Sequence, residues 1–473
     1  MAFGTSRTPR ASDRNPLHHP SMLHSPLATL LVGLLAVTGP QGPDDSSAPE
    51  KPSENTILIR AEQVYVKPGQ LLEDTSILVR DGLIVEVGKD LALPEGAREV
   101  TGQTVCAGYI DPWSSLGIDP SSASDMSTRA STRTEWAIDP FGGEYARQAA
   151  QSAGVLLVRS QAGANATAGG LGVLLRARPA GAVVLDDAGL QVSCGVGGRG
   201  DVFSRVGEVD GLVGQLGAGM AYHESLRKYE AELAEWEAEI AEVEEELEDD
   251  FKKAKKDREK EMKEAEEKGK EFKEERYKED RKPRKPRVDP DKDVYGRVAN
   301  GELPLIVGIE GGPEIRALLE QTREYSRLRM VLRGANNALP FAEELAERGI
   351  PVILYPDRTN GQSDDPADLA GKLSAKGVRV LIGTRGGSTS VRSLPLLAQR
   401  AMAGGMTHEQ AFGALTLHAA QAFDVADRFG SVEVGKHAEL LILDGDPVLG
   451  RPTAVLTSGE LVVLEGGKPA EAK

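Results

Sequence analysis

The sequence predicts an α/β protein built on a parallel sheet, with a small β-domain drawn from both chain ends and a long charged helical insertion. Three observations carry this. Through the middle of the chain, short apolar runs alternate with helix-like stretches in the rhythm of repeated strand-helix units. Both ends are rich in β-branched runs separated by turns. From Tyr222 to Lys282 the chain is almost wholly Glu, Lys, Arg and Ala.

The 473 residues, 40% of them hydrophobic, suffice for two or three domains with a sizeable core. A formal net charge of -17, with no basic groove in the sequence, excludes nucleic acid as a partner. Residues 1–39 read as a secretory signal: Arg7, Arg10 and Arg14 precede the apolar run Leu27 to Val37, and Thr38, Gly39 and Pro40 follow it. The run falls well short of the ~20 residues that span a bilayer, so export is expected, with a membrane anchor as the alternative. Residues 40–55, rich in Pro, Ser, Asp and Glu, read as a linker. Cys106 and Cys194 have no CxxC neighbour, and sequence leaves open whether they meet.

Residues 56–105 supply the first β-rich segment. Ile57-Leu58-Ile59 and Val64-Tyr65-Val66 are followed by two β-rich runs joined at Asp81-Gly82, a hairpin pattern. Residues 106–221 and 298–428 hold the alternating core. Its expected strands are Val155–Val158, Val173–Leu175, Ala182–Leu185, Leu305–Val307, Arg329–Leu332, Pro351–Leu354 and Val378–Ile382. Helices fit Pro313–Tyr325, Ala338–Arg348 and Leu394–Gly404. Residues 429–466 return to short strands at Glu439–Asp444 and Ala454–Leu464. The alternation itself leaves the parallel sheet either open or closed into a barrel.

The insertion, residues 222–297, has apolar residues at Tyr222, Leu226, Tyr229, Leu233, Trp236, Ile240, Val243 and Leu247. Spacings of four and three alternate, which is a coiled-coil seam. Beyond Phe251 the seam thins and Glu-to-Lys pairs dominate. A continuous helix of this length would carry the chain roughly 90 Å from the core. It must then return, either as a helical hairpin or with a partly disordered second half. The projection is either a solvated arm or a surface for a homo-oligomer or partner.

Two stretches carry a resemblance. The run "ILIRAEQVYVKPGQLLEDTSILVRDGLIVEVGKDLALPEGAREVTGQTVCAGYID" is similar to the opening of the amidohydrolase superfamily, near its imidazolonepropionase-like branch. The run "GALTLHAAQAFDVADRFGSVEVGKHAELLILDGDPV" is similar to its ending. The resemblance implies a (β/α)8 barrel with a β-sandwich from both ends, and one or two zinc or similar ions at the C-terminal ends of the strands. A metal-bound hydroxide would then attack a carbonyl or imine carbon.

Where that family carries His-x-His, this chain has Trp113 and Ser115. Gly308 and Arg333 stand at the expected places of further histidines, and Arg385 replaces the proton-shuttling aspartate. Indole, hydroxyl and guanidinium groups cannot replace imidazole and carboxylate ligands, so no metal cofactor is expected. Neither His408, His418, His437 nor His223 is paired at ligand spacing with another donor. Arg159, Asn165, Gly169, Gly170 and Glu310 could line the old pocket, the glycines equally well as a tight turn and the charged residues as ordinary ion pairs. The expected protein is an exported family member without catalysis, whose barrel serves binding or assembly of an unknown small molecule or protein. The alternatives are a carbon-nitrogen hydrolase with a non-standard site and a scaffold acting through its arm.

Overall fold

The computed structural model describes residues 55–119, 127–139, 143–163, 166–178, 183–196, 200–268, 282–357, 366–386 and 390–464, with backbone alone along 242–268. The expected signal segment, nearly all of the linker and Asn165 lie outside the described residues. No described helix is long and apolar enough to cross a membrane.

The chain opens with β1 (Thr56–Lys67), β2 (Gln70–Arg80), β3 (Leu83–Gly88) and β4 (Arg98–Ala107). The β2–β3 turn falls at Asp81-Gly82, where both residues hold positive φ (50° and 76°), as the hairpin pattern requires. The core strands follow: β5 (Tyr109–Ser114), β6 (Val155–Ser160), β7 (Ala168–Leu171), β8 (Val173–Arg176), β9 (Val183–Leu185), β10 (Leu190–Cys194), β11 (Leu305–Ile309), β12 (Met330–Arg333), β13 (Val352–Leu354) and β14 (Val380–Ile382). The chain ends on β15 (Leu440–Asp444), β16 (Arg451–Thr457) and β17 (Glu460–Val463).

Both ends meet in one seven-stranded sheet of order β17-β16-β15-β4-β1-β2-β3. The join is antiparallel, with Leu441 of β15 opposite Cys106 of β4. Alternate residues on these strands, among them Ile57, Ile59, Ile77, Val79, Leu440 and Ile442, bury one face in a common apolar cluster. Cys106 and Cys194 are buried free thiols.

The core strands form two mixed sheets, β14-β13-β12-β11-β10-β7 and β5-β6-β8-β9. This departs from the expected uniform parallel barrel in three pairings: β7 runs antiparallel to β10, and β8 antiparallel to both β6 and β9. Gly172 divides β7 from β8, where a Cβ would strike the Arg159 guanidinium at 2.5 Å. Hydrogen bonds still tie the two sheets together. Gly172 N–H donates to Gly189 O and Ala188 N–H to Gly172 O on one side, and Arg385 N–H donates to Trp113 O on the other. Between the two sheets Ile110, Leu157, Leu174, Ile306, Val331, Ile353 and Leu381 pack into a single buried cluster with Phe423 and Phe429. Burial of these side chains removes the apolar surface whose loss from water drives folding.

The long helix, Val202–Lys268, begins well before Tyr222 and is 67 residues long. At 1.5 Å per residue it extends about 100 Å. Its first turns carry Gly207, Gly211, Gly214, Gly217 and Gly219, a composition that hides a helix from propensity arguments. Tertiary packing overrides it. Val209, Leu212 and Leu216 are buried, and a Cβ at Gly219 would meet Gly296 N at 2.3 Å in the facing helix Pro290–Ala299. The chain does not return as a helical hairpin over its last stretch: residues 282–289 belong to no helix or strand.

Candidate functional site: the barrel mouth

Side chains two residues apart on a strand point the same way, so the interior cluster predicts its own next layer. Moving two positions on from Leu157, Ile306, Val331, Ile353 and Leu381 gives Arg159, Gly308, Arg333, Tyr355 and Gly383. The apolar layer thus gives way to guanidinium groups, a phenol and glycines.

Three of the residues singled out from sequence meet here. The Arg333 guanidinium lies 4.5 Å from the ring centre of Trp113, and that of Arg385 lies 5.2 Å from the same ring. Arg385 also lies 5.7 Å from the Tyr355 ring. Stacking on an aromatic face is a favourable setting for guanidinium, and here one indole serves two like charges. Arg333 is 3% exposed, Trp113 is half-buried and Arg385 is exposed, so the stack runs from the interior outward. Burial, then the charge of Arg385, brings the Arg333 pKa down to about 9, with Glu310 acting in the opposite direction. It remains a cation at neutral pH.

The glycines are explained by this stack. A Cβ at Gly308 would meet Arg333 Nη2 at 2.5 Å and Ser193 Oγ at 3.2 Å. A Cβ at Gly383 would meet the Trp113 Cβ at 2.6 Å. Arg385 itself holds a φ of 58°, a left-handed conformation unusual for a side chain of this size, and its N–H donates to Trp113 O at 2.9 Å. Ser115 N–H donates to Gly386 O alongside it.

Beneath Trp113 lies Asp111, which the sequence reading passed over. Its carboxylate accepts from Trp113 N–H at 3.0 Å, Thr384 N–H at 3.2 Å and Thr384 Oγ1 at 2.5 Å. It therefore clamps β5 to the end of β14. Burial pushes its pKa up to about 7, partly offset by the hydrogen bonds from Thr384 and Trp113. The run Ile110-Asp111-Pro112-Trp113 held the signal, since an acidic residue in an apolar strand demands partners.

The other candidates make the following contacts. Arg159 donates to Ala188 O (2.6 Å), Gly189 O (3.2 Å) and Gln161 Oε1 (2.9 Å) and lies over Phe423, filling the irregular junction of the two sheets. Gly169 O accepts from Gln161 Nε2, and Gly170 holds φ 87° where a Cβ would strike Thr132 O at 2.3 Å. Glu310 is half-buried at the edge of the mouth. His408 is engaged by Asp446, His223 by Asp293 and Asn300, and His437 stacks on Phe429. His418 is half-buried, and its partial burial, with the charge of Arg379, lowers its pKa to about 4. Clefts of about 750 Å³ beside Arg60 and Asp74 and about 430 Å³ beside Cys194 and Tyr295 lie at other residues.

A chain with this order of strands has counterparts. The Amidohydrolase family profile matches residues 256–467. An imidazolonepropionase from Shouchella clausii is 32% identical over 136 residues, which are 26% of this chain and 30% of that protein. An imidazolonepropionase from Brevibacillus brevis is 30% identical over 180 residues, 36% of this chain and 42% of that protein. The aligned segments thus span less than half of these relatives' lengths. The crystal structure of an amidohydrolase from Thermotoga maritima superposes with a TM-score of 0.63 at 20% identity, covering 86% of this chain and 100% of that one. Over these segments the chain is similar to amidohydrolases, imidazolonepropionases among them. Its core is accordingly a TIM-barrel-like α/β fold.

The resemblance implies a metal at the ends of these strands, but the side chains at the mouth do not suit one. Among the described residues no three His, Cys, Asp or Glu side chains come together as a ligand set. The mouth offers an indole, two guanidiniums and a carboxyl group whose oxygens are already engaged. A fixed cation at Arg333 opposes a dication electrostatically.

Proposed function

We propose that this is an exported amidohydrolase-family protein without metal-dependent catalysis, whose barrel serves binding or assembly. Trp113, Ser115, Gly308, Arg333 and Arg385 stand, on this reading, where active members place their metal ligands and proton shuttle. The observation that carries it is the Arg333–Trp113–Arg385 stack, for which Gly308 and Gly383 leave room. The substitutions are mutually fitted, which a merely eroded site would not require. A carbon-nitrogen hydrolase with a non-standard site finds no support at Asp111, which is fully buried and held by Thr384 and Trp113. The test is elemental analysis of protein purified in the presence of zinc, iron or manganese, alongside assays on cyclic amides and imines. Substoichiometric metal and no hydrolysis are expected. One metal per chain, lost to chelator together with an activity, would overturn the reading.

A further inference from the structure

We infer that the apolar seam of the long helix is a docking surface for a basic polyproline II segment, and that residues 282–289 of the same chain occupy it as a strap. The inference is independent of what the barrel mouth does.

Two contacts fix the strap's ends. Lys282 Nζ lies 5.2 Å from the Trp236 ring centre, and Asp289 N–H donates to Tyr222 Oη at 3.4 Å. Between those contacts the helix climbs about 21 Å from Tyr222 to Trp236 at 1.5 Å per residue. A polyproline II chain from Asp289 back to Lys282 covers about 22 Å at 3.1 Å per residue. An α-helical return would cover only about half that distance. The strap therefore runs antiparallel to the helix in the one extended form its prolines favour.

The shielding pattern agrees on both partners. Along the helix Tyr222, Leu226, Tyr229, Leu233, Trp236 and Ile240 are each half-buried, while residues on the opposite face are exposed. Along the strap Pro283, Pro286 and Asp289 are half-buried and the residues between them exposed, the threefold repeat of polyproline II. Counting from Asp289 at Tyr222, Pro286 falls level with Tyr229 and Pro283 between Leu233 and Trp236. Proline rings on aromatic faces are the contact used where such segments are recognised. Charge supports the pairing: the strap carries Lys282, Arg284, Lys285 and Arg287, and the helix stretch it spans carries Glu230, Glu232, Glu235, Glu237 and Glu239. Asp289 then caps the next helix by accepting from Lys292 N–H, which anchors the strap to the barrel.

The strap closes in cis a seam that would otherwise pair with a second copy as a coiled coil. The experiment is hydrogen exchange on the full chain, comparing wild type with a Pro283→Gly, Pro286→Gly variant, together with mass in solution. Loosening the strap is expected to speed exchange of amides in 222–240 by about tenfold, or to double the mass as a second copy takes its place, with barrel amides unchanged. A synthetic peptide of residues 282–291 added to the variant restores protection at low salt and loses hold at high salt; a scrambled peptide does not. Unchanged exchange and mass in the variant, or equal rescue by the scrambled peptide, would overturn the inference.

Discussion

Two layers of the barrel interior, two residues apart on the same strands, differ in kind. The inner layer, with Leu157, Ile306, Val331, Ile353 and Leu381, is aliphatic and fully buried. The outer layer, with Arg159, Gly308, Arg333 and Gly383, is cationic and glycine-rich. The first asks only for size and apolarity, which many sequences meet. The second asks each residue to fit its neighbours: glycine at 308 exists for the guanidinium at 333, and glycine at 383 for the indole at 113. The two layers thus constrain sequence differently, one by volume and polarity and the other by specific partners.

The largest expected effect breaks the inner layer. Ile353→Ala removes a fully buried side chain from the cluster and should cost about 2–5 kcal/mol of stability, read as a lower urea midpoint with unchanged slope. A loss below about 0.5 kcal/mol would mean that this layer is not packed as described.

Asp111 lies at the junction of the layers, and its effect is graded by pH. Its carboxyl group is easier to protonate in the folded chain than in the unfolded one, where the ordinary value is 3.8. The contribution to stability is therefore greatest below about pH 4, declines as pH rises to about 7, and is level above that, with a ceiling of about 4 kcal/mol at 1.36 kcal/mol per unit. Asp111→Asn should flatten that limb in melts taken across the range. Identical pH profiles for the two proteins would show that the clamp does not titrate there.

The smallest effect sharpens the claim that the outer layer is mutually fitted. Gly308→Ala alone should cost about 1–3 kcal/mol by crowding Arg333. In an Arg333→Ala background the same change should cost much less. Additivity of the two substitutions within about 0.5 kcal/mol would show that Gly308 and Arg333 are not coupled.

Much of this could be read without a structure, and the exceptions have physical causes. The Asp81-Gly82 hairpin and strands such as Val352–Leu354 follow from local rules, since turn chemistry and apolar runs act over a few residues. β7 and β10 escaped because Ala168-Gly169-Gly170-Leu171 and Leu190-Gln191-Val192-Ser193-Cys194 lack a clear period; their burial comes from neighbours distant in sequence. The helix before Tyr222 escaped because its glycines argue against a helix until Gly219 is seen to pass close to Gly296.

Sequence alone determined the residue types, tryptophan, serine, glycine and arginine, at positions 113, 115, 308, 333 and 385. It also determined the seam of the arm, because a four-three spacing is written directly in the chain. Only the tertiary structure decided that Trp113, Arg333 and Arg385 form one stack, that Asp111 holds two strands together, and that prolines 283 and 286 run beside the arm rather than away from it. Those are contacts between segments tens to hundreds of residues apart. No local propensity encodes them, and they exist only once the strands have packed and the chain has turned back.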